Sequence, residues 1–179
     1  MQRCARQPRA VSHGFTILEL LVVLLLLGII VSMATLAIGD GAERQMRSES
    51  ERLAGLLRLV RDEQMITGGG ERALGLRPDG YSLLELVILD NASREWQPVQ
   101  DQQLQPRVFE QGLLEVVLEQ EGRRLPLSQT GSWEPHIRLG NTGEMTPSQV
   151  ILQVPGRNLQ QVIDISLDGQ VEVINEAQP

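Results

Sequence analysis

The sequence predicts an α+β protein, with one long N-terminal helix carrying a C-terminal antiparallel β-domain. The first half of that helix is apolar enough to span a membrane, and the second half is amphipathic. Three observations predict this. Nineteen residues without a charge run from Leu20 to Ile38. A three-, four- and seven-residue apolar rhythm then extends from Glu43 to about Thr67, and beyond Gly70 short apolar runs alternate with turn signals.

The uncharged run comes first. At ~1.5 Å per residue it approaches the ~30 Å of a bilayer core, so as a helix it can span. A cleaved secretory signal has a shorter core of ~7–15 residues and an A-x-A-like site, a spacing that Ala34 and Ala37 do not provide. Lipoprotein processing also fails, because the only cysteine, Cys4, precedes the run. Residues 1–14 carry Arg3, Arg6 and Arg9 and no acid, a net +3, which keeps that end cytoplasmic and sends the remainder across the membrane. The chain carries −7 overall, so the remainder carries −10. An acidic exported part without a basic cluster is a poor partner for nucleic acid, so none is expected, since that affinity rests on neutralising phosphates.

The second half of the helix follows "GDG" (Gly39–Gly41), a local breaker expected to kink or briefly melt it. Met46, Leu53, Leu56, Leu57, Val60 and Gln64 form one face. Glu43/Arg47 and Arg58/Asp62 are i, i+4 pairs for the wet side. "TGGGE" from Thr67 ends the helix. The amphipathic segment is thus 39–70, and 71–179 is the β-rich domain.

In that domain "RPDGY" (Arg77–Tyr81) turns between "RALGL" and "YSLLELVIL", and a second hairpin turns near Glu121-Gly122. In "QVILQV", Val150, Leu152 and Val154 alternate with Gln149, Ile151 and Gln153. In "VIDISLDGQVEVI", Ile163, Ile165 and Leu167 alternate with Asp164, Ser166 and Asp168 before an Asp168-Gly169 turn into Val171 and Val173. Asn91–Arg107, rich in Gln and Pro, reads as a loop. Residues 71–134 carry no recognisable motif.

Enzymatic chemistry is not expected. Every basic residue is arginine, so "GGG" at 68–70 lacks the lysine of a phosphate loop. The two histidines, His13 and His136, build neither a zinc cluster nor a His-dependent triad. "DISLDG" imitates half a calcium loop, but its twelfth position is Asn175 and its pattern is a strand's. No catalytic residue, metal or cofactor is therefore assigned. Tyr81, Trp96, Phe109 and Trp133 are candidate contact anchors, although core packing is the commoner fate of a lone aromatic.

One residue remains awkward. Glu19 places a carboxylate at the head of the span, where charge is costly. Its setting, "GFTILELLVVLLLLGII", resembles the N-terminal signal of type IV pilins and type II secretion pseudopilins. The resemblance implies that a prepilin peptidase removes residues 1–14 by cutting after Gly14, and then N-methylates Phe15. Glu19 matches the family's Glu at the fifth mature position, an assembly and register residue. Residues 15–38 then form the transmembrane helix, and the only cysteine leaves with the leader.

The C-terminal stretch "IRLGNTGEMTPSQVILQV" (Ile137–Val154), followed by "VIDISLDGQVEVI", is similar to the minor pseudopilin H family, also called general secretion pathway protein H. This implies a type IV pilin-like fold with two packed sheets, anchored in the inner membrane with its domain in the periplasm. The implied role is a structural subunit near the tip of a pseudopilus that helps export folded proteins through the outer-membrane secretin. Implied partners are the other minor pseudopilins, the major pseudopilin, the prepilin peptidase/methyltransferase, the inner membrane, and the secretin or secreted substrates. Two alternatives stay open on sequence: a minor pilin of a type IV pilus, for assembly or DNA uptake, and a single-pass anchored periplasmic enzyme.

Overall fold

The computed structural model describes residues 17–90, 92–102 and 104–174, with side chains omitted for 31–40. The chain divides at the glycine breaker into two compact units, one ending at Gly39 and the other beginning at Asp40. Helix α1 runs Ile17–Thr67, and residues 39–41 are helical, so the chain does not melt there.

In the second unit, α1 buries one face built from Met46, Ser50, Leu53, Ala54, Leu57, Val60 and Gln64. These positions recur every three, four or seven residues, so they share one side of a 3.6-residue turn. The expected Glu43/Arg47 pair forms at 2.7 Å. Arg58 departs from expectation: its Nε donates to the carbonyl of Val171 at 3.0 Å instead of pairing with Asp62. Gly68, at φ 57°, ends the helix by donating its N–H to the Gln64 carbonyl at 2.9 Å. That left-handed position favours glycine.

Ten strands follow: β1 (Arg72–Arg77), β2 (Gly80–Ile88), β3 (Arg94–Pro98), β4 (Arg107–Val108), β5 (Glu115–Gln120), β6 (Arg123–Leu125), β7 (Pro135–Leu139), β8 (Ser148–Gln153), β9 (Gln160–Ile165) and β10 (Val171–Ile174). They form two antiparallel five-stranded sheets. The first has the order β3-β2-β1-β7, with β4 also pairing β2; the second has the order β10-β9-β8-β5-β6. The β1–β2 turn closes on Arg77↔Gly80 and the β5–β6 turn on Gln120↔Arg123. Glu121 and Gly122 both have positive φ, as a two-residue hairpin loop of the type I′ kind requires. The inward faces of both sheets and the buried face of α1 share one core, with Leu53 and Leu57 of α1, Leu74 of β1, Leu118 of β5 and Ile163 of β9 all fully enclosed.

Two expectations are corrected. Asn91–Arg107 is not wholly a loop, because β3 lies within it and pairs β2 from Leu84↔Pro98 to Ile88↔Arg94. Backbone hydrogen bonds make that strand, and an edge position tolerates its closing proline. Leu167 does not continue the inward alternation of Ile163 and Ile165; it is 63% exposed. Strand β9 ends at Ile165, and a turn closed by Ser166 N–H to the Gln170 carbonyl at 3.0 Å carries Leu167 outward.

Candidate functional site

In the apolar half of α1, the described side chains, those of residues 17–30, are exposed on every side. Ile17, Leu18, Leu21, Leu25 and Ile30 are all more than half exposed. Such a surface is at rest only in lipid or among other helices. Glu19, also exposed, is the only charge between Ile17 and Ile38 and sits in the first described turn, where the helix dipole favours an anion. Gly14 and Phe15 lie outside the described residues. Among the described residues no helix is long and apolar enough to cross a membrane. The side chains of 31–38, the second half of the expected span, are outside that set.

The β-domain has its own anchoring chemistry. On the buried stripe of α1 sits Glu49, only 4% exposed, paired with Arg107 of β4. Arg107 Nε donates to Glu49 Oε1 at 3.0 Å, and Tyr81 Oη donates to Oε2 at 3.4 Å. Burial, and then the Glu49 charge, push the Tyr81 hydroxyl well above its ordinary range, so it stays a neutral donor. The Tyr81 ring meets Phe109 edge-on, with centroids 6.1 Å apart. Glu49 was not singled out in the sequence, yet it lies three residues after Met46 and four before Leu53. A carboxylate in the phase of a buried stripe is the signal that could have found it.

This places two of the four aromatic candidates in the core, since Tyr81 and Phe109 are buried. Trp96 and Trp133 remain half-buried at the surface, each faced by a guanidinium. Arg138 lies 5.9 Å from the Trp96 ring and Arg77 lies 4.2 Å from the Trp133 ring. Trp96 lines an open groove of about 510 Å³ with Arg138, Met145, Pro147 and Leu167.

The Gly-Glu-Met-Thr-Pro turn has a physical reason. It follows β7, and its Met145 N–H donates to the Leu167 carbonyl at 3.1 Å, joining it to the β9–β10 turn. Both turns press on the end of α1. A Cβ on Gly143 would lie 2.8 Å from Met65 Sδ, and one on Gly169 would lie 2.0 Å from the Gly143 carbonyl oxygen and 2.8 Å from Arg61 Nε. With φ of 87° and 77°, both positions favour glycine, and at Gly169 the backbone carbonyl of Gly143 adds a steric reason that the flexible Met65 side chain does not add at Gly143. Among the described residues no cluster of His, Cys, Asp and Glu is placed to hold a metal.

A long N-terminal helix with an apolar leading half, carrying two antiparallel sheets, defines a pilin-like fold. Residues 9–35 match the prokaryotic N-terminal methylation motif. The fold resembles two solved structures of the minor pseudopilin EpsH from the type II secretion system of Vibrio cholerae. TM-scores are 0.61 at 14% and 16% identity, covering 76% and 75% of this chain and 98% of each solved chain. In sequence the chain is 30% identical over 168 residues to type II secretion system protein H of Pseudomonas aeruginosa, covering 88% of this chain and 92% of that protein. It is 23% identical over 185 residues to the protein of the same name from Pectobacterium carotovorum, covering 95% and 94%.

The chain belongs to the type II secretion system protein H family. It is therefore a minor pseudopilin, a structural subunit and not an enzyme. Membership and the methylation motif together imply anchoring in the inner membrane, pseudopilus partners and handling by a prepilin peptidase.

Proposed function

We propose that this subunit acts near the tip of the periplasmic pseudopilus and helps move folded proteins across the outer membrane through the secretin. In this reading residues 1–14 are a leader cut after Gly14, and Phe15 becomes the N-methylated terminus. Residues 15–38 span the inner membrane, 39–70 continue as the amphipathic helix, and 71–179 form the periplasmic domain. The other minor pseudopilins and the major pseudopilin are its neighbours. Trp96 and Trp133 are the aromatic contact candidates left at the surface.

The observation that carries this reading is the contrast between the two halves of α1. The half after Asp40 buries one face in its own domain, whereas residues 17–30 expose apolar side chains all round and hold a single carboxylate. Once Gly14 is removed, the cationic amine of Phe15 lies four residues from Glu19, about 6 Å along the axis. A neighbouring helix shifted along the fibre brings its own amine to the same carboxylate, and the low dielectric there strengthens that pair. A leucine would insert more readily, so register is the better reason for a charge at that depth.

Glu19→Leu should therefore insert, be cleaved and remain stable, yet crosslink poorly to other pseudopilins in the membrane. Undiminished crosslinking and secretion in the mutant would refute the register role.

A further inference from the structure

One histidine sits at the seam between the two sheets, beside a direct bond there from the Val116 N–H of β5 to the Pro78 carbonyl at 2.9 Å. Strands β1 and β7 pair in register from Arg72↔Leu139 to Leu74↔Ile137 and then slip, so that Gly75 faces Pro135. His136 is thus the extra residue of a bulge, and a bulge leaves ladder groups unpaired. The next donor on β1, the Leu76 N–H, is taken up by the imidazole: it donates to His136 Nδ1 at 3.2 Å. The carbonyl of the same residue accepts Gln120 Nε2 of β5 at 3.2 Å. That nitrogen also donates to Ser148 Oγ of β8 at 3.0 Å, and Ser148 Oγ donates to the Thr146 carbonyl at 2.9 Å. The side chain of His136 closes the first sheet, and its backbone ties that sheet to the second.

We propose that His136 is a proton-sensitive latch at this seam: neutral, it holds β1 to β7, and protonated, it releases the bulge and loosens the junction of the sheets. A backbone N–H can only donate, so Nδ1 must carry a lone pair to receive it. An imidazolium has a proton on both nitrogens and would set donor against donor. Among the described groups acting on the imidazole, Glu134 is the titratable one, and its backbone carbonyl and then its charge favour the charged form, while β1 presents the Leu76 N–H. Burial outweighs Glu134 and holds the imidazole below its ordinary value of 6.5.

The sign follows from that direction. With the closed-state value below 6.5, the opened seam binds more protons than the closed one. The latch is at full strength above pH 6.5 and weakens as pH falls from there toward the closed-state value.

Hydrogen exchange on the full chain in detergent micelles tests this, reading peptides over 72–77 and 135–139 at pH 7.5 and pH 5.5. After correction for intrinsic exchange rates, the wild type should open more at pH 5.5, by up to about tenfold, the limit set by an opened-state value of 6.5. His136→Gln offers Oε1 to the same N–H without titrating, and its opening should not change with pH. Equal pH dependence in both proteins, or none in the wild type, would overturn the latch. If His136→Gln does not fold, titration of the wild-type imidazole by NMR decides instead. A midpoint below 6.5 agrees with the latch, and one at or above 6.5 contradicts it.

Discussion

Removing Arg107 should harm the fold more than neutralising the carboxylate it serves. Arg107→Met keeps the aliphatic bulk on β4 but leaves Glu49 charged on the buried stripe of α1, with only the Tyr81 hydroxyl to receive. Breaking a fully buried pair by deleting one partner costs about 3–5 kcal/mol. Here the Glu49 side chain is 6% exposed but that of Arg107 is 40% exposed, so water already screens part of the pair. The expected cost falls to about 1–3 kcal/mol. At roughly 2–4 °C per kcal/mol for a chain of this size, the midpoint of thermal unfolding should drop by about 2–12 °C. Glu49→Gln leaves a solvated arginine and an amide that still accepts from Tyr81, so it should cost only about 1 kcal/mol. The double mutant should match Glu49→Gln alone, because the stranded charge is gone. Melting curves of the four proteins at pH 7.5 give the answer. If Arg107→Met is no worse than Glu49→Gln, or if the two effects simply add, the buried carboxylate does not need its cation and the tether is decorative.

Gly169→Ala should destabilise by on the order of 2–3 kcal/mol, since it joins a φ of 77° to a carbonyl oxygen 2.0 Å from the new Cβ. Gly156→Ala has a similar φ of 73° but open space, and should cost only about 1 kcal/mol; equal urea midpoints for the two would mean that the turns do not clamp α1. Trp96→Ala should leave hydrogen-exchange protection in the core unchanged while weakening crosslinks to other pseudopilins, and unchanged crosslinks would remove Trp96 from the contact surface. Lowering pH from 7.5 to 5.5 should lower the melting temperature of the wild type more than that of His136→Gln, because the closed-state imidazole is held below 6.5.

Much of this architecture was readable from short-range chemistry. The turns at Pro78-Asp79 and Glu121-Gly122 are signalled by their proline and glycine, although Glu121 takes a positive φ of 53° that its residue type does not favour, and the seven-residue steps on α1 led to its buried face. Readability failed where long-range contacts decide. β3 carries Gln, Glu and Pro because it is an edge strand, made by the ladder of β2 and not by its own side chains. Leu167 fits the inward alternation of β9 but follows a strand that has already ended. Tyr81 and Phe109 gave no sign that they would meet each other, since 28 positions of chain separate them and the packing of β4 on β2 brings them together. Glu49 is the intermediate case: its phase on the helix was visible, and its partner, 58 residues away, was not. The N-terminal site was the opposite. Gly14, Phe15 and Glu19 were assigned from motif alone, through resemblance to a family whose processing leaves its mark in local sequence.

That assignment has a direct test. The protein should be expressed together with a prepilin peptidase, extracted from the membrane, and its intact mass and N-terminal sequence measured. The account predicts a chain of residues 15–179 carrying one added methyl group on the amine of Phe15, while Gly14→Val should keep its leader. A wild-type chain that still holds residues 1–14, or one that begins near residue 38 after cleavage beyond the apolar run, would contradict it.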